Sequence, residues 1–130
     1  MPRLPGIPTA AVVLLALALG GCDKGEDKGA KAQAYCHDVI QEGCVRAWDC
    51  VPPGEQSAAF TAQYGTSLDQ CLSLPDNCDK YPAACPHFSA DAGATCLAEF
   101  TNQTCGELLI LDQGGNPTIA LPTDCASVCP

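Results

Sequence analysis

Positive charge is nearly missing from this 130-residue chain beyond residue 34, where Arg46 and Lys80 face twelve acids and the balance is −10. Such a surface repels phosphate backbones and anionic headgroups, which argues against nucleic-acid binding and against direct adhesion to acidic lipid. Aromatic side chains are also few: Tyr35, Trp48, Phe60, Tyr64, Tyr81, Phe88 and Phe100. A small domain with so few large apolar groups buries little surface against its chain entropy, and cross-links are the usual remedy. Long apolar runs are lacking as well. The longest, Ala10 to Leu19, has ten residues. As a helix it measures about 15 Å, half of a bilayer core of about 30 Å, so it cannot span permanently.

Motifs that carry chemistry are missing too. There is no Cys-x2-Cys, and His37 and His87 are the only histidines. Zinc prefers closely spaced thiolates and imidazoles, and redox dithiols favour Cys-x2-Cys. Asp76 and Asp79 lack the ligand series of a calcium loop. No serine sits in a nucleophile elbow and no carboxylate pair stands out. The sequence therefore predicts no cofactor and no metal. His37 and His87 read as packing and loop residues.

Cysteine is what the chain has in excess. Eleven cysteines, about 8% of the residues, point to a disulfide scaffold made in an oxidising compartment. The number is odd, so one cysteine serves another purpose. Arg3 and the α-amine, then the apolar run, then small residues make an export signal over residues 1–21. It ends in Leu19-Gly20-Gly21-Cys22. This tetrapeptide resembles the lipobox of bacterial lipoproteins. The resemblance implies cleavage before Cys22, a diacylglyceryl thioether on its sulfur and acylation of its new amine. Several acyl chains, at about 0.8 kcal/mol per buried methylene, hold a protein on a membrane where one would not. The competing reading is a simple signal peptide followed by a structural cysteine. Setting Cys22 aside leaves an even ten: Cys36, Cys44, Cys50, Cys71, Cys78, Cys85, Cys96, Cys105, Cys125 and Cys129.

Residues 22–34 are polar, hold glycines and carry three acids against three lysines. They read as a flexible tether with a reach of about 20 Å. Residues 35–130 read as the folded domain. Its first helix takes in Tyr35, Val39 and Trp48 together with Cys36 and Cys44, and Pro52-Pro53-Gly54 ends it. A second helix carries Phe60 and Tyr64 at i, i+4, and a short third is capped by Thr66 or Ser67. Residues 73–88, with three prolines, read as loop. A fourth helix starts at a Ser89 cap and turns Cys96, Leu97 and Phe100 inward. Residues 106–115 continue as a short helix or turn, residues 116–122 are extended, and one turn closes the chain. The fold expected is mainly α, a small disulfide-rich helical domain with long loops.

Ten cysteines can pair in on the order of a thousand ways. Geometry removes some of them. Bridged Cα atoms lie about 4.4–6.8 Å apart. Cys36 and Cys44 on one helix would be about 12 Å apart, so each must reach another segment. Pro75 and Pro82 break any helix through Cys71, Cys78 and Cys85, leaving a cysteine-studded loop to be stapled onto the helices. The order Asp91, Cys96-Leu97, Cys105 and Pro122 with Cys125 is similar to that of small cysteine-rich lipoproteins of myxobacteria, and residues 35–44 and 67–71 fit the same pattern. That family brings no established activity.

Together these readings describe a protein of the bacterial cell envelope. A lipid anchor is its partner in the membrane, inner or outer, and its domain faces the periplasm or the cell surface. It binds an envelope protein or a small ligand without catalysis. The alternative is a small hydrolase or redox enzyme whose site the sequence hides. The charge makes one outcome definite: residues 35–130 should show negligible DNA affinity at physiological salt, and tight, salt-sensitive retention in a filter-binding assay would contradict this.

Overall fold

The structure is a computed structural model and describes residues 24–130. The signal segment and Cys22 lie outside the described residues. The chain forms α1 (Lys24–Cys50), α2 (Ala58–Tyr64), α3 (Leu68–Leu72), α4 (Tyr81–Ala84), α5 (Ala90–Asn102) and α6 (Cys105–Leu108). A hairpin of β1 (Leu109–Leu111) and β2 (Pro117–Ile119) follows, and the turn Thr123–Ser127 closes the chain. This is a small, disulfide-rich, mainly helical domain. No helix among the described residues is long and apolar enough to cross a membrane.

α1 is the spine. It starts at Lys24, so residues 24–34, expected as a flexible tether, are its first three turns. The reason is alanine, which forms helix well and is small enough to pack closely. Ala32 is 1% exposed and sits in a core cluster with Tyr35, Cys85, Phe88, Cys96 and Val128. A second cluster lies further along α1, where Cys44, Ala47 and Val51 meet Phe60, Tyr64 and Cys71.

Local chemistry sets the other element ends. Ser57, Ser67 and Ser89 accept from the amides of Phe60, Gln70 and Ala92, capping α2, α3 and α5. Of the two caps open in the sequence, Ser67 is the one used. The proline-rich segment expected as loop holds one helical turn, α4, with Pro82 in its first turn where a missing N–H costs nothing. The hairpin is antiparallel, Leu109 opposite Ile119. Its turn is held by Asp112, whose Oδ1 accepts from the amides of Gly114 and Asn116 at 2.8 and 2.9 Å. These bonds lower the Asp112 pKa, and Gly115 supplies the positive φ of 79° that the turn requires.

Five disulfides tie the elements together: Cys36–Cys78, Cys44–Cys71, Cys50–Cys105, Cys85–Cys129 and Cys96–Cys125. Three start on α1, and Cys36 and Cys44 reach different segments as the helix rise requires. At 100° per residue the three cysteines of α1 fall within an arc of about 120°. The other two hold the C-terminal segment against α4 and α5. Polar contacts support them. The Tyr35 hydroxyl lies 3.0 Å from the Cys96 sulfur, and burial, with Tyr81 adding to it, pushes the Tyr35 phenol up to about 12. The Trp48 indole donates to the Tyr64 carbonyl at 3.1 Å. The Arg46 guanidinium donates to the Gln103 carbonyl at the end of α5, where the helix dipole favours a cation.

The loops closed by these bridges span 27 to 55 residues. Each bridge is worth about 2–4 kcal/mol, against a usual domain stability of about 5–15 kcal/mol. Peptide mapping of the oxidised protein should recover these five pairs with no free thiol downstream of Cys22. Full reduction should abolish cooperative unfolding. Two free thiols, or a Cys36–Cys44 pair, would contradict the fold.

Candidate functional site

One face of α1 is left partly uncovered. Cys36, Val39, Ile40, Gly43 and Cys44 follow the helical spacing and form the floor of a groove of about 700 Å³. The facing wall is the loop after α3, with Leu74, Pro75, Asp76 and Asn77. The hairpin contributes Ile119, and Leu121 follows it. The Cys36–Cys78 and Cys44–Cys71 bridges fix this wall at two points on α1, about 12 Å apart along the helix. Pro75 and two covalent ties keep the loop from collapsing onto the helix. Ile40, Leu74 and Leu121, which line it, are 39%, 37% and 53% exposed. The volume lies within the range of small-molecule sites, about 300–1,000 Å³.

Gly43 is the informative residue of the floor. A glycine inside a helix costs about 1 kcal/mol relative to alanine. Packing does not require it here, because a Cβ at Gly43 would meet nothing within 4 Å. Gly93 in α5 is the contrast: a Cβ there would come within 3.1 Å of Tyr35 and 3.3 Å of Phe88, so close packing explains it. Gly43 instead opens the groove down to the helix backbone.

Asp76 is the one charged side chain of the lining. Its Oδ1 accepts from the Cys78 amide at 3.0 Å, and its Oδ2 lies 3.1 Å from His37 Nδ1. These contacts brace the loop against α1 at the Cys36 end of the groove. His37, Asp76 and Cys78 offer atoms within 4.8 Å of one another, the spacing of a metal cluster. The Cys78 sulfur, however, is bonded to Cys36 at 2.06 Å. It is not a thiolate, so the donor set that zinc favours is not assembled. The sequence reading of His37 as a packing residue becomes more specific: it positions Asp76.

His87 is exposed before α5 and does not line the groove. A carboxyl pair that sequence did not reveal forms between α5 and the closing turn. Glu99 hydrogen-bonds Asp124, which raises the Glu99 pKa. Neither residue lines the groove. The groove itself was also missed, since Ile40 and Leu121 belong to separate helical and extended segments whose approach no local pattern shows. A glycine at a helix position facing other apolar residues was the available signal.

No protein-family model, curated protein or solved structure matches this chain, so the site is interpreted from its own geometry. The glycine argument gives a measurable result. Gly43→Ala should stabilise the oxidised protein by about 1 kcal/mol in chemical denaturation, because helix propensity rises and nothing clashes. A destabilised variant would show that Gly43 serves packing after all.

Proposed function

We propose that the protein is a lipid-anchored, non-enzymatic binding module of a bacterial envelope, and that the groove along α1 is its binding surface. The observation that carries the anchor is the disulfide pattern. All ten cysteines from Cys36 to Cys129 are consumed in five bridges. Cys22, which follows the lipobox-like Leu19-Gly20-Gly21, is the remainder. Five bridges also favour a compartment outside the reducing cytoplasm.

The binding role rests on the groove. It is apolar, held open by covalent ties and free of any histidine or nucleophilic hydroxyl placed against a base. Its lining hydroxyls include those of Tyr64, 3.4 Å from the Thr118 hydroxyl, and Tyr81, 3.1 Å from the Cys129 sulfur, neither beside a base. A rigid concave surface with one acidic end is suited to holding a ligand rather than transforming it.

Because residues 24–34 belong to α1, most of the segment between Cys22 and the cross-linked domain is a stiff helix rather than a long tether. The domain would stand close to the lipid surface. Fractionation tests the reading. Cys22→Ser should leave the protein unprocessed or release it from membranes, and metabolic labelling with a fatty acid should be lost with it. A variant that stays membrane-bound and labelled as strongly as the parent would overturn the assignment.

A further inference from the structure

The groove has features that select among ligands, and this inference rests on reading it as a binding surface. Three observations bear on the choice. The floor is open at Gly43, where a Cβ would meet nothing within 4 Å. The apolar part runs about 12 Å along α1, between the bridges at Cys36 and Cys44. The charge is one-sided: Asp76 stands at the Cys36 end, and neither lysine nor arginine lines the groove. The domain around it has Arg46 and Lys80 against twelve acids.

We infer that the groove takes a small cationic amphiphile, an ammonium head on an apolar body, with the head at Asp76 and the body over Gly43 toward the Cys44–Cys71 bridge. An ammonium can share the Asp76 carboxylate, whose second oxygen is engaged by a half-exposed histidine rather than a buried partner. A carboxylate or phosphate head would meet Asp76 and the acidic surface with no counter-charge, at an electrostatic cost. The apolar body covers Ile40, Leu74 and Leu121, which the fold leaves partly in water. At Gly43 the body lies directly on the helix backbone, which explains a glycine that packing does not need.

The test uses decylammonium, decanol and decanoate, each below its micelle threshold, with the purified oxidised protein. Calorimetry reads affinity, and methyl NMR reports on Val39, Ile40, Leu74, Ile119 and Leu121. Decylammonium should bind one to one, shift those methyls, and bind about tenfold or more tightly than decanoate, with decanol between them. Asp76→Asn keeps the Oδ1 bond to the Cys78 amide and should bring decylammonium down to the level of decanol. Gly43→Leu should weaken all three ligands about tenfold or more. Gly43→Ala, which has room in the helix, should weaken them by less while remaining fully folded, so a failure of the leucine variant to fold leaves the test intact. Decanoate equal to decylammonium, or Asp76→Asn without effect on the order, overturns the ligand class while leaving the groove a binding surface. No saturable binding of any probe, or sedimentation showing a dimer with those methyls at its interface, overturns the groove reading as well.

Discussion

The structure depends on covalent attachment of short segments to one long helix. α1 carries Cys36, Cys44 and Cys50, and each holds a different piece of the chain: the turn at Cys78, the end of α3, and the start of α6. None of those pieces could hold its place alone. α3 has five residues and α6 four. Isolated helices of that length do not persist in water, because nucleation costs more than a few hydrogen bonds return. Tied to α1, they need no further nucleation. Cross-links lower the entropy of the unfolded chain and let a domain with seven aromatic residues keep a defined shape.

The same ties make the groove. A loop fixed at two points on a helix, and stiffened by Pro75, cannot close onto the surface between those points. Apolar residues that would otherwise collapse into a core remain at a rim. In a domain held by its core alone, a cleft of this size would need to be offset by packing elsewhere. Here the bridges carry that load, so an open apolar surface and a stable fold coexist.

His37 and Asp76 show how a local contact acquires meaning only in three dimensions. In the sequence they are thirty-nine residues apart, one on a helix and one after a proline. The Cys36–Cys78 bridge between their neighbours brings them to 3.1 Å. The sulfur that completes the cluster is oxidised by the same bridge. One covalent bond thus both assembles the group and removes its capacity to bind metal as a thiolate.

The sequence by itself determined the fold class, the first, second, third and fifth helices from residue 34 onward, the Ser89 cap and the impossibility of a Cys36–Cys44 bridge. These are local matters of periodicity, side-chain capping and helix rise, and each is written within a dozen residues. It did not determine that residues 24–34 are helical. The decisive contact is Ala32 against Cys85 and Phe88, more than fifty residues away, and a small side chain gives little pattern to read. Nor did it fix which cysteines pair, because pairing depends on which loops return to α1. The groove belongs to the tertiary structure alone. Its floor, wall and rim come from α1, the segment around Pro75 and the chain around Ile119, and only the bridges bring them together at a separation that leaves room for a ligand.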